Sequence, residues 1–261
     1  MFYWIYDLPV WKAELGFVAL FVGFTWFGLI FVRPFLRLWL RKQTGVNDIV
    51  GYFLSLFSVM YGLLLGLLTV ASYQNLADVE QTVMNESSAL AGLYRDVSSY
   101  PEPERQELQA LLREYTRYVI DEAWPLQQKG IIPTRRTNSV NLFFARLTKF
   151  EPQTGGLEII HAETFRQFNH FTEFRRKRLY QVETGIPPVL WYTVGIGAVI
   201  NALLIWMFEV RLPALLLLGG LTMTFTATMV CLIALMDHPY RGKLSITPRA
   251  FELVYDGLMK Q

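Results

Sequence analysis

The chain has very few of the residues from which disulfides, metal clusters and hydrolytic sites are assembled. Cys231 is the single cysteine in 261 residues, which excludes an intrachain disulfide and a cysteine-based metal cluster. It falls inside an apolar run, where a small packing side chain is the expected role. Histidine occurs at 161, 170 and 238 alone. The first two are about two and a half helical turns apart, so they cannot hold one metal from a single helix face. No His-Glu-x-x-His pair, phosphate-binding Gly-Lys-Thr loop or dinucleotide glycine fingerprint is present. Neither a nucleophile with its base nor a metal-ligand set can be assembled from the spacing, so no enzyme, no metal and no cofactor is expected. Charge of one sign is lacking too. Lys+Arg number 24 against 22 Asp+Glu, a net charge of +2, and no basic stripe interleaved with aromatics appears, so nucleic acid is not an expected partner.

What the chain does have is apolar length. Hydrophobic residues make up 52% and aromatic residues 15%. Uncharged runs cover residues 15–32, 49–77, 184–208 and 212–236. About 20 apolar residues at about 1.5 Å rise cross a hydrocarbon core of about 30 Å, and each run meets or nearly meets that length. Lipid is therefore the expected solvent of these segments. Without water to satisfy backbone groups they must be helices, since the alternating strands of a barrel are absent. The expected spans lie near residues 13–33, 51–73, 187–208 and 212–236. Residues 1–10 carry no positive charge and no small-x-small cleavage site follows, so the first run is expected to be a retained span rather than a signal peptide. Tyr3, Trp4, Tyr6 and Trp11 before it, and Trp191, Tyr192 and Trp206 at the ends of the third run, suit headgroup level.

Charges concentrate elsewhere: 14 of the 24 Lys+Arg and 15 of the 22 Asp+Glu lie between Gln74 and Ile186. The expected organisation is all-α. Two spans (1–73) precede a helical extramembrane domain (74–186), and a transmembrane hairpin (187–236) leads to a C-terminal tail (237–261). The second span should continue as one long helix to Val97, because no Gly–Pro break interrupts residues 73–97 and Leu76, Val79, Val83, Leu90 and Leu93 keep helical spacing. Pro101-Glu102-Pro103-Glu104 starts another helix with acids in its first turn. Leu108, Leu111, Leu112, Tyr115, Tyr118 and Val119 carry it to Trp124-Pro125, where proline should stop or kink it. A loop with Gly130, Pro133 and Thr134 leads to a helix at 139–150, ended by Pro152 and Gly155-Gly156. The next helix, 157–182, bears Phe165, Phe168, Phe171 and Phe174 at intervals of three, a stripe expected to wrap obliquely over a partner. Gly185-Ile186-Pro187 turns the chain back into the bilayer. Glu209-Val210-Arg211 joins the last two spans, and Pro213 suits the opening of the fourth.

Five residues are candidates for a pore or gate. Asp237 and His238 place an acid beside an imidazole immediately after the fourth span, where a carboxylate binds a cation, gates a path, or pairs with Arg241 or Arg211. Asn201 is an amide in mid-span that needs a partner helix or a wet cavity. Glu80 and Glu86 sit on the extension of the second span, facing either a vestibule or solvent. Gly62 and Gly66 form a small-xxx-small pair that allows another helix to approach closely.

Glu86 with Leu93-Tyr94-Arg95-Asp96, Trp124-Pro125 after acidic residues, Arg175 with Arg178, Ile186-Pro187-Pro188-Val189-Leu190-Trp191, and Asp237-x-Pro239-Tyr240-x-Gly242 together form a pattern. On these residues the chain resembles the bacterial bestrophin-like family of four-span membrane proteins over nearly its whole length. Ala123 between Glu122 and Trp124, and Tyr240 where the family usually has Phe, depart from it. The resemblance implies structural roles for Pro239, Tyr240, Gly242, Arg175, Arg178, Pro187 and Trp191. Bestrophins are pentameric anion channels with a helical domain between their second and third spans, so it further implies a homo-oligomeric ion channel or pore for a small inorganic ion. The acidic cluster with which animal bestrophins bind calcium is absent. The alternative is a non-conducting scaffold or sensor whose helical domain binds a protein. The expected location is the bacterial inner membrane, multi-pass. Arg33, Arg37, Arg41 and Lys42 would put the polar domain outside by the positive-inside rule, whereas Lys12, Arg241, Lys243, Arg249 and the cluster at residues 175–178 tip the balance toward the cytoplasm.

Overall fold

Backbone N–H and C=O groups in lipid have no water to bond, and a helix pairs them within its own turns. The computed structural model describes residues 3–40, 45–133 and 138–260, and among these it is helical, with no strand. Arg41, Lys42 and Thr134, named above, lie outside the described residues. Two compact units result: residues Met1–Gln74 with Gly185–Asp237, and Asn75–Thr184 with His238–Gln261.

The first unit is the polytopic membrane portion, with four helices long and apolar enough to cross a bilayer. Helix α1 (Val10–Phe27) passes through a wide π turn, Gly28–Val32, into α2 (Arg33–Leu40), longer at both ends than the expected 13–33. Helix α3 (Val46–Val97) contributes its N-terminal half. Its length agrees with the unbroken helix read from the sequence. Helices α8 (Pro188–Trp206) and α9 (Leu212–Met236) form the hairpin. Tyr6 donates to the Ala234 carbonyl at 2.8 Å and the Trp26 indole to the Leu216 carbonyl at 3.0 Å, so α1 lies antiparallel to α9.

Where two helices of this chain approach most closely, Gly28 and Gly197 supply the room. A Cβ at Gly28 would fall 1.9 Å from the Trp206 ring, and one at Gly197 would fall 2.3 Å from the Tyr61 ring. The same aromatics are bonded across the contact, Trp206 Nε1 to the Thr25 carbonyl at 3.0 Å and Tyr61 Oη to the Val194 carbonyl at 3.0 Å. A Cβ at Gly62 or Gly66 would meet nothing within 4 Å.

The second unit packs the C-terminal half of α3 with α4 (Glu104–Tyr118), α5 (Trp124–Gln128), α6 (Asn138–Leu147), α7 (Gly155–Tyr180) and α10 (Arg249–Val254). Of the two outcomes expected at Pro125, a stop or a kink, the helix does not stop there. A π turn at Val119–Ala123 lets the Trp124 N–H reach the Val119 carbonyl, and Pro125, which has no N–H to place, follows within a further helical turn. Gly155-Gly156 open α7 instead of closing α6, because Thr154 Oγ1 accepts the Leu157 N–H at 3.3 Å and caps the new helix. The phenylalanine stripe of α7 meets α6: Phe168 stacks on Phe143 and Phe144 with ring centroids 5.6 and 5.4 Å apart. Gly130, at φ +70°, ends α5 in a conformation that side chains rarely adopt.

Candidate functional site

Helix α3 has two opposite faces with different fates. In the second unit, Val79, Val83, Glu86, Leu90, Leu93 and Val97 are all buried. The other face is open along most of the helix. Ile49, Phe53, Leu56, Met60, Leu63, Leu67 and Val70 are exposed large apolar residues. The same spacing of four and three continues through Gln74, Ala77, Gln81, Met84 and Ser88, also exposed. A seven-residue period drifts from the straight 3.6-residue turn, so such a seam stays in register with a neighbour that supercoils around it. Gly62, next to Leu63, is exposed as well, and Glu80 stands exposed beside Gln81.

Asp237 sits at the C-terminal end of α9 and is buried. Its Oδ1 accepts the Ile186 N–H at 2.5 Å and its Oδ2 the Trp191 indole N–H at 3.3 Å. Pro187 and Pro188 leave the start of α8 short of donors, and the carboxylate takes the N–H that remains just ahead of them. Asp237 thus clasps the end of one span to the beginning of another. Asn201, on α8, is 3% exposed, and its Oδ1 has no hydrogen-bond partner among the described residues. His238 belongs to the second unit and is half-buried. The structure does not bring Asp237 and Asn201 together with Glu80 and Glu86 in one unit.

Glu86, expected at a vestibule or in solvent, lies inside the second unit at 0% exposure. Arg178 Nε donates to its Oε2 at 2.6 Å and Arg178 Nη2 to its Oε1 at 3.2 Å. Tyr115 donates to Oε1 at 2.6 Å. The guanidinium lies over Trp124 and Phe251, 5.9 and 5.6 Å from their ring centroids. Burial pulls the Arg178 pKa down, but the Glu86 carboxylate and the buried Tyr115 outweigh it and hold the group above its ordinary value. Burial pushes the Tyr115 hydroxyl well up, with the Glu86 charge adding to it. Arg175 lies over the Tyr115 ring at 5.8 Å. Tyr240 is buried with its ring 5.7 Å from Trp124. Among the described residues, its hydroxyl and Arg178 Nη1 have no hydrogen-bond partner. Gly242, at φ +83°, turns the chain after it.

Sequence reasoning missed Tyr115 and Trp124 as members of this network and Arg33 as a clamp in the first unit. Arg33 is 3% exposed and donates through Nη2 to the Phe208 carbonyl at 3.0 Å and the Val210 carbonyl at 2.5 Å. Asn47 brackets Glu209, accepting its N–H at 2.7 Å and donating to its carbonyl at 3.2 Å. The signal available for Arg33 was its place directly after an uncharged run of membrane length. Among the described residues, no three or more His, Cys, Asp or Glu side chains converge as a metal site would require.

A crystallised bacterial bestrophin homologue from Klebsiella pneumoniae shares this fold at a TM-score of 0.65, with 13% identity over 95% of this chain and 98% of its own. A mutant of a Klebsiella pneumoniae bestrophin homologue aligns at 0.63, with 12% identity over 94% of this chain and 99% of its own. A further structure, described as that of a membrane protein, aligns at 0.68, with 11% identity over 95% and 97% of the two chains. No curated protein matches the sequence. The Bestrophin-like domain matches residues 19–251. With that domain covering most of its length and the fold shared over 94% of it, the chain belongs to the bestrophin-like family of membrane proteins.

Proposed function

We propose that this chain is one subunit of a homo-oligomeric pore that conducts small inorganic ions across the bacterial inner membrane. The observation that carries the proposal is the open seam on α3, apolar from Ile49 to Val70 and mostly polar from Gln74 to Ser88. A chain that buries this seam only against further copies of itself surrounds an axis with it. The apolar part then forms a constriction governed by wetting, and the polar part, with Glu80 beside it, forms a mouth. Asn201 and Asp237 act from behind this lining, Asn201 through its unpartnered amide oxygen and Asp237 by fixing the start of α8. Residues 74–186 and 237–261 form the extramembrane portion, on the cytoplasmic side. What the resemblance to bestrophins implies about channel activity supports the same reading.

Ion flux into liposomes containing the purified chain, measured with the mass of the detergent-solubilised particle, tests the proposal. Several copies per particle and a measurable flux are expected. A particle of one or two copies, or no flux with any common anion or cation at any voltage or pH, overturns it and leaves a scaffold. Within a conducting particle, Asp237→Ala should change flux or assembly more than Glu173→Ala, since Glu173 is exposed. A reporter fused after Lys260 reads the side of the polar unit.

A further inference from the structure

At the Arg33 end of the first unit, the π turn Gly28–Val32, α2 and the start of α9 line an open groove of about 740 Å³. Arg33 and Arg37, one helical turn apart, both line it, and Glu209 is the one acid among the described residues that does. From this geometry we propose that the groove is a binding site for an anionic phospholipid, with the headgroup phosphate on the two arginines.

Three observations carry this. Charge comes first: two guanidinium groups face one carboxylate, leaving the groove net positive, and a guanidinium fork matches a phosphate in shape. Arg33 is fixed in place by the Phe208 and Val210 carbonyls and still has a buried Nε with no partner. Arg37 is exposed, with a long 3.4 Å contact to the Val210 carbonyl, and so has donors to offer. Depth comes second. Arg33 immediately follows the uncharged run 15–32, and Leu212 opens the apolar run of α9 directly after Arg211. The arginines therefore stand where hydrocarbon gives way to headgroups. The walls come third. Ile30, Leu38 and Leu212 line the same groove and are 50%, 69% and 39% exposed. A soluble anion gains nothing from them, whereas the glycerol and first methylenes of a phospholipid cover them.

The site is independent of conduction. It tests in the full chain, purified in detergent and stripped of lipid, with retention of added phosphatidylglycerol or phosphatidylcholine read by native mass spectrometry. The wild type is expected to hold phosphatidylglycerol in preference to phosphatidylcholine. Arg37→Gln should weaken that retention about fivefold, the effect of one charge near an anionic surface, and Arg37→Lys should keep most of it. Glu209→Gln, at an exposed acid in the groove, should strengthen retention by a similar factor. Excess inorganic phosphate should leave the lipid bound. Equal retention of the two lipids, no change in Arg37→Gln and Glu209→Gln, or displacement by inorganic phosphate overturns the proposal. The last outcome would assign the groove to a soluble anion, and absence of any lipid from an assembled particle would assign it to a second copy.

Discussion

The two units answer the same problem, holding helices together, in opposite ways. The second unit has one continuous apolar core in which Val79 through Val97 of α3 meet Leu108, Tyr115, Phe143 and Phe171. The first divides its buried apolar residues among several small clusters, and in its first two spans only 17% of the apolar window is buried. Its helices are joined by side chains that reach backbone carbonyls or N–H groups, from Tyr6, Trp26, Arg33, Tyr61, Trp206 and Asp237. The solvent explains the difference. Lipid tails are as apolar as leucine, so helices in a bilayer gain little by hiding it and rely on close fit and polar contacts. Water drives the second unit to gather apolar side chains into one core, and a charge enters that core only with its partner.

The comparison breaks most sharply at Glu86. Glu86→Ala leaves Arg178 charged and unpaired at the centre of a water-driven core, and should cost about 3–5 kcal/mol in a thermal or denaturant unfolding measurement. Replacing both partners, Glu86→Gln with Arg178→Met, should recover most of that loss, because the cost lies in the uncompensated charge. Were the single and double variants equally unstable, the pair would be holding the unit by shape rather than charge. Asp237→Ala is the counterpart in the first unit. It removes an acceptor from the Ile186 N–H and the Trp191 indole, and should cost about 1.5–3 kcal/mol, the range for hydrogen bonds to a charged group. Asp237→Asn should fall between the two.

The four spans and the unbroken α3 were legible because apolar length and period are local properties of the sequence. The Glu86–Arg178 pair is different, since its members are 92 residues apart and no local rule connects them. A trace was nevertheless present on each side. Glu86 interrupts the apolar stripe Val79, Val83, Leu90, Leu93, and Arg178 continues the buried face that carries Thr164, Phe168 and Phe171. A charge on a stripe otherwise bound for the core must find a partner there. The glycines at close contacts within the chain were hidden for the same reason. Gly62-x-x-x-Gly66 fits a packing motif, while the close contacts within the chain fall at Gly28 and Gly197, chosen by the positions of Trp206 and Tyr61 on other helices.

That contrast gives a smaller effect with a cleaner readout. Gly28→Ala drives a methyl group into the Trp206 ring and should destabilise the folded chain by about 1–3 kcal/mol, as overpacking does. Gly62→Ala meets open space and should leave the unfolding transition where it is. If the α3 seam is a contact between copies, the larger Gly62→Leu should instead shift the particle toward lower mass in detergent. Unchanged mass would place Gly62 against lipid.

The smallest effect belongs to the second unit alone. His161 Nδ1 lies 2.7 Å from the Tyr100 hydroxyl, between Phe150 and Phe165 with ring centroids at 5.5 and 4.8 Å. Burial among these rings lowers its pKa below the ordinary imidazole value of 6.5. Between those two values the unfolded chain binds the proton that the folded chain refuses, so stability is whole above about pH 6.5 and declines as pH falls toward the lowered value. The loss should be under about 1 kcal/mol, since the ring is only partly buried. His161→Asn keeps an acceptor near Nδ1 without a group that titrates there, and should remove this part of the acid sensitivity while leaving the transition at neutral pH close to that of the wild type. Because no histidine lies in the first unit, a wild-type acid loss that survives His161→Asn unchanged would have to come from other groups, and the burial of His161 would carry no pH dependence.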